Sequence, residues 1–137
     1  MKPEVKERRE SERVFFTLEE HIGVSVNLTG KDKTIPATLL SISTGGISIA
    51  VPKKQKKEIK EGDVLVISGL HLPGLHEAIA RIEAEVKHIL FYKDYDRMSL
   101  GCGFKEISDP VRVTIETFIN ERIEFETMQG NAQGFDV

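Results

Sequence analysis

The chain has 137 residues, 19 basic and 22 acidic side chains and a net charge of −3. That is one domain's length, and 39% hydrophobic residues against 30% charged exclude wholesale disorder. The single cysteine excludes an internal disulfide or Cys-based zinc site, no apolar run approaches the about 20 residues of a membrane helix, and the charged N-terminus is no secretory signal; a cytoplasmic protein without a membrane span is expected.

Residues 1–13 carry nine charges, from Lys2 to Arg13. Such a segment cannot pack a core and is expected to be a mobile arm. From Val14 onward, short apolar stretches alternate with turn residues. Ile22, Val24, Val26 and Leu28 alternate with polar or small residues and predict a strand. Thr29–Lys33 is a turn, and Ile35–Ile42 is a second strand. Ser43-Thr44-Gly45-Gly46 interrupts before Ile47, Ile49 and Val51 alternate again. Pro52–Glu61 reads as a polar loop and Glu61-Gly62-Asp63 as a tight turn. Val64–Ser68 is a further strand, and Leu70–Glu77 a loop or hairpin. Ala78–Tyr92 permits a helix by composition, but Val86, His88, Leu90 and Tyr92 alternate, which favours a strand. Met98–Phe104 is the last strand, with Gly101 and Gly103 marking close backbone approach or a bulge.

Helical spacing appears only at the end. Asp109 suits the N-cap and Pro110 the first turn. Val111, Ile115, Phe118, Ile119 and Ile123 form one apolar stripe. Gly130 is a plausible stop, with a frayed tail beyond Asn131. The prediction is an all-β domain with a C-terminal helix, folded as a six-stranded antiparallel β-barrel. Closure removes exposed sheet edges. The boundaries are an arm at 1–13, barrel plus helix at 14–128, and a tail at 129–137.

Two short motifs carry recognition chemistry. Arg8-Arg9-Glu10-Ser11-Glu12-Arg13 is an RRxxxR pattern; Ser41-Ile42-Ser43-Thr44-Gly45-Gly46 follows about thirty residues later. Guanidinium groups match phosphate oxygens and the guanine O6/N7 edge bidentately, and stack on flat rings. Ser41 and Ser43 are two apart, so an extended strand projects both hydroxyls from one face. Gly46 leaves room for a flat base to approach the backbone.

In these residues the chain resembles the PilZ domain family, whose signature is RRxxxR followed by (D/N)xSxxG. The likeness covers roughly residues 8–125 and includes Gly62 after the polar loop and Leu100-Gly101-Cys102-Gly103-Phe104, similar to the family's last strand. The resemblance implies a six-stranded barrel with a C-terminal helix that binds cyclic di-GMP and relays the signal to an effector protein. It implies that Arg9 and Arg13 grip phosphate and the guanine Hoogsteen edge. Arg8 would favour an intercalated ligand dimer. Ser43 would contact the ligand, and Gly46 would leave space for it. Ser41 stands where the family has Asp or Asn. A charge-assisted hydrogen bond is worth about 1.5–3 kcal/mol against about 0.5–1.5 for a neutral one, so this exchange weakens binding by roughly tenfold. The alternative reading is a degenerate barrel that has lost nucleotide binding and acts as a protein–protein adaptor.

Other features have plainer readings. Glu4, Glu7, Glu10 and Glu12 could pair with the arm's arginines. The run Lys53-Lys54-Gln55-Lys56-Lys57 reads as a solvated loop, with an anionic partner as the second reading. His71 and His76 lack further ligands for a metal. Nothing resembles a nucleophile–base pair, a phosphate-cradling helix start or a metal-binding His–carboxylate motif. No enzyme activity, cofactor or metal is expected. With no Trp and only 2 Tyr, a base-stacking surface for a nucleic-acid polymer is not expected. A homodimer is left open.

Overall fold

The computed structural model describes residues 13–17, 19–75, 78–91 and 95–135. Among them, seven strands run in the order β1 (Arg13–Phe15), β2 (Gly23–Leu28), β3 (Thr34–Ser43), β4 (Gly46–Pro52), β5 (Val64–Leu70), β6 (Ile79–Phe91) and β7 (Arg97–Glu106). A single 3-10 turn, Lys53–Lys57, follows β4, and one long helix, α1 (Asp109–Phe135), follows β7. All pairings are antiparallel. The circuit β3-β2-β5-β6-β7-β4 closes through β3–β4 pairing, and β1 lies outside it on β3. The expected six-stranded barrel with a C-terminal helix is therefore present, with one strand added.

The added strand exists because β3 is longer than its neighbour. Its first half, Thr34–Thr38, pairs with β2. Its second half, Ser41–Ser43, pairs with β1. Arg13, expected at the end of a mobile arm, is thus the first residue of a strand. Val14, beside it, is buried in the core opposite Ile42.

The barrel interior is filled by Val26, Ile35, Ile47, Ile49, Leu65, Ile67, Ile82 and Leu100, all essentially inaccessible. β-Branched side chains suit this pleated, closed surface. Ile115, Phe118 and Ile119 of α1 are buried with them, Phe118 and Ile119 lying three and four residues after Ile115 as one helical stripe requires. Phe16 follows β1 and stacks on Phe118 with ring centroids 6.0 Å apart. The Arg122 guanidinium sits 5.4 Å above the Phe16 ring and donates to Glu20 at 2.7 Å. The helix therefore docks where β1 enters the sheet.

Three boundaries differ from expectation. Asp109 is already helical; the cap is Ser108, whose carbonyl accepts from the Arg112 N–H at 2.9 Å and whose hydroxyl accepts from the Val111 N–H at 3.4 Å. Helix α1 passes Gly130 and continues to Phe135, so that glycine does not terminate it. The polar loop after β4 contains the 3-10 turn because Gln55 and Ile59 are buried and pin it to the barrel.

Gly46 and Cys102 give two testable consequences. A Cβ on Gly46 would run into the Cys102 carbonyl oxygen, whereas one on Gly45 would meet nothing within 4 Å. Overpacking of this kind costs about 1–3 kcal/mol, so Gly46→Ala should lower the melting midpoint by several degrees and Gly45→Ala should leave it nearly unchanged. Burial pushes the Cys102 thiol up from 9.0 to about 12. Its folded value lies above its unfolded one, so its contribution is intact below pH 9 and is lost as pH rises from 9 towards 12. Thiol titration of the native protein at mildly alkaline pH should find Cys102 inert and become fast only on unfolding.

Candidate functional site

Two β-bulges decide what faces outward. Leu39 pairs with Ile49 and Ser41 with Ser48, so Leu40 is an extra residue in β3. Before it, Ile35, Ala37 and Leu39 point into the core; after it, Ile42 does. The alternation changes parity at Leu40, and Ser41 and Ser43 turn to the outer face. On β6, Val86 pairs with Cys102 and His88 with Gly101, so Lys87 is the extra residue. Val86 is buried, and Lys87 and His88 are both exposed. The simple alternation of Val86 with His88 and Leu90 is broken there, and two polar side chains face the same side.

The registers then line up one row across five strands. Phe15 lies opposite Ser41, Ser41 opposite Ser48, Ser48 opposite Gly101, and Gly101 opposite His88. The floor of this row is small and polar; its two ends are rings. Beside it, Arg13 pairs with Ser43 and Gly46 with Gly103. Together they form an open trough of 540 Å³ on the outer barrel face, with Arg13 and Phe15 on one wall and Lys87, His88 and Leu90 on the other. That volume is within the range of about 300–1,000 Å³ typical of small-molecule sites.

Arg13 is the charged feature of the first wall. Its Nη1 donates to Ser41 Oγ at 3.0 Å and its Nη2 to Ser43 Oγ at 3.2 Å. The fork of the guanidinium fits hydroxyls projected two residues apart. Both partners are neutral, and no ion pair joins Arg13 to a described carboxylate. Partial burial lowers its pKa from the ordinary value, which reflects poor solvation of the charge rather than its loss, since a guanidinium stays protonated in proteins.

The two serines differ. Ser43 Oγ accepts from the backbone N–H groups of Gly45 and Gly46 at 3.3 and 3.2 Å, and its hydroxyl reaches the Gly46 carbonyl at 3.4 Å. Its hydrogen-bonding capacity is used in shaping the turn and orienting Arg13. Ser41 Oγ accepts from Arg13, and its proton has no acceptor among the described residues. Ser41 is therefore the hydroxyl with a donor to spare.

Of the residues singled out in the sequence, Arg13, Ser41, Ser43 and Gly46 are brought together. Arg8 and Arg9 lie outside the described residues. The absence of a side chain at Gly46 is already demanded by the Cys102 carbonyl, so its glycine serves the β4–β7 contact first. Gly101 is the opposite case: a Cβ there would make only ordinary contacts with His88 at 3.7 Å. Its smallness is not required by packing and keeps the floor low. Phe15, Ser48, Lys87 and His88 were not singled out, and Gly101 was marked for close backbone approach or a bulge and as part of the last-strand motif, not as a site residue. Phe15 had a signal in the sequence, a ring two residues after the motif's Arg13, and the structure leaves it 70% exposed. The others become neighbours only through the barrel registers.

Among the described residues, no cluster of His, Cys, Asp and Glu could hold a metal ion, and no helix is long and apolar enough to cross a membrane.

Comparison with known proteins agrees with this architecture. The PilZ domain family matches residues 7–121. No curated protein matches. Among solved structures, the PilZ domain of YcgR from Escherichia coli with c-di-GMP is similar at 17% identity and a TM-score of 0.63, over 89% of this chain and 98% of that one. The K. pneumonia MrkH–c-di-GMP complex is similar at 15% identity and a TM-score of 0.67, over 86% and 53%. The Bacillus subtilis inhibitor of motility MotI is similar at 17% identity and a TM-score of 0.65, over 80% and 48%. The chain thus spans about half of the MotI and MrkH chains and nearly all of the YcgR domain. At these identities the likeness is one of fold. With the family match covering most of its length, this chain is a member of the PilZ domain family.

Proposed function

We propose that the chain is a receptor for cyclic di-GMP and binds it in the trough between β1 and β6. The observation that carries the reading is Arg13: a half-buried cation, forked by two serines and joined to no described carboxylate, at the rim of a ring-sized concavity. A bound phosphate or guanine O6/N7 edge supplies the bidentate acceptor that this geometry lacks. The c-di-GMP in the YcgR and MrkH structures and the family membership support the choice of ligand.

Each wall has a role in this reading. Phe15 offers a ring on which a guanine can stack. Ser41 donates its spare proton to the base. The Ser48–Gly101 floor admits a flat ring, and Lys87 on the far wall adds positive charge. Arg8 and Arg9 supply further guanidiniums from the 1–13 arm, which ligand binding fixes against the barrel. That ordering costs conformational entropy, and the phosphate contacts offset it. The altered surface then engages an effector protein. Ser41, neutral where the family carries Asp or Asn, favours one second reading, in which the barrel no longer binds nucleotide and acts as an adaptor alone.

Calorimetric titration with cyclic di-GMP, with GTP as control, separates the two. Saturable binding is expected, and Arg13→Ala should weaken it by about tenfold or more, since it removes charge-assisted hydrogen bonds of about 1.5–3 kcal/mol. Stacking contributes about 1–3 kcal/mol per base, so Phe15→Ala should weaken binding at least about fivefold. Gly101→Val should fill the trough and abolish binding while leaving the melting midpoint close to that of the parent. Absence of heat and of a thermal shift at high ligand concentration would favour the adaptor reading.

A further inference from the structure

The barrel carries a charge concentration that the trough does not use. Residues 31–60 contain seven lysines and two carboxylates, a net of +5, so the remaining residues carry −8 of the total −3. Lys33 immediately precedes β3, and the Arg13 partner Ser43 ends it. Ten residues at about 3.3 Å each put roughly 30 Å of strand between Lys33 and Ser43, while the Lys60–Asp63 flank lies nearer the far wall of the trough, where the Asp63 carbonyl accepts from the Val86 N–H at 2.8 Å.

The lysines are held in place rather than left on a loose loop. Gln55 and Ile59 are buried beneath the 3-10 turn, which leaves Lys54, Lys56 and Lys57 exposed around them. Lys31 from the β2–β3 turn and Lys57 and Lys60 from the β4–β5 connection line one polar concavity of 250 Å³. The carboxylates there are already committed. Glu58 accepts from Lys33 at 2.8 Å, and Asp63 accepts from the Lys60 backbone N–H at 2.8 Å. Lys54, Lys56, Lys57 and Lys60 form no ion pair with a described residue. Crowded like charges repel, so such a patch is a cost to the free protein that a counter-charged partner removes.

We propose that this basic patch docks an acidic segment of a partner protein. Lysines are compact, strongly hydrated point charges on flexible stems, so a group of them suits a run of negative charges that need no fixed fork geometry. The exposed large hydrophobic residues, Phe15, Leu90, Phe91, Tyr95, Val113 and Phe125, all lie outside residues 31–60. Tyr95 borders the Lys53 end, where the Lys53 N–H donates to the Asp96 carbonyl at 2.8 Å, but none of the six lines the concavity of Lys31, Lys57 and Lys60, which therefore offers no apolar anchor for a membrane and no ring on which a base stacks. Its lysines surround a concavity, which an extended acidic chain enters more readily than a flat headgroup layer does. The docking surface and the trough share no lining residue, so one protein holds its partner on one surface and senses on another.

Fluorescence anisotropy of a labelled oligoglutamate peptide with the full chain tests this. Binding is expected to weaken steeply with salt, as exposed charge contacts do. It is expected to fall by about tenfold or more in Lys54→Glu/Lys56→Glu/Lys57→Glu, with an unchanged melting midpoint. The milder Lys31→Gln/Lys60→Gln variant should weaken it several-fold, and Arg13→Ala should leave it intact, which separates this site from the trough. No binding, binding that survives both lysine variants, or tighter binding to phosphatidylglycerol vesicles or single-stranded DNA than to the peptide would overturn the proposal.

Discussion

One extra residue in β3, Leu40, governs which way the candidate site faces. A strand with strict two-residue alternation from Ile35 would carry Ser41 and Ser43 into the core, where two hydroxyls need partners that the aliphatic interior does not supply. The bulge reverses the parity, puts Ile42 inside and turns both serines outward. Outside, they are covered by the Arg13 fork. The fit of one guanidinium across two hydroxyls follows from that reversal, as does the neutral, partly desolvated surrounding that leaves the cation without a counter-charge among the described residues.

β1 is the joint between this site and the helix. Ordering its three residues costs about 1–2 kcal/mol each. Burial of Val14 contributes about 1.5–3 kcal/mol in the other direction, about half of that cost, so further contacts supply the rest. Those contacts come from both sides: Arg13 on the serines, and Phe16 against Phe118 and Arg122 of α1. The Arg122 hydrogen bond holds the Glu20 carboxyl below its ordinary pKa. A folded value below the unfolded one means that this contribution is present at neutral pH and is lost as pH falls into the carboxylate range. Anything that holds Arg13 therefore also steadies the segment on which α1 packs.

Much of this was legible in the residues, for physical reasons. Alternation in Ile22–Leu28 and Ile47–Val51 identified strands because each has one face in the barrel. The stripe at Ile115, Phe118 and Ile119 identified the helix because only one of its faces is buried. Arg13, Ser41, Ser43 and Gly46 were visible as motif members, and they do meet. What was not visible depends on pairing between distant segments. β1 looked like the tail of a charge run, since three residues carry no periodicity. The bulges at Leu40 and Lys87 shift register without a local sequence mark, so the opposing wall at Lys87 and His88 could not be placed from β6 alone. Gly46 showed the reverse difficulty: its reason is the Cys102 carbonyl on a strand more than fifty residues away.

The charge layout adds a second axis to the same barrel. The Arg13 wall of the trough lies at one end of β3, and Lys33 of the lysine patch precedes the other. Cyclic di-GMP is proposed to occupy the row running from Phe15 across Ser41, Ser48 and Gly101 to His88. Backbone amide shifts followed by NMR during ligand titration test this. Ser41, Ser48, Gly101 and Gly103 are expected to shift and saturate together while Lys54–Lys60 stay in place. Saturable shifts confined to other strands, with that row unmoved, would contradict it.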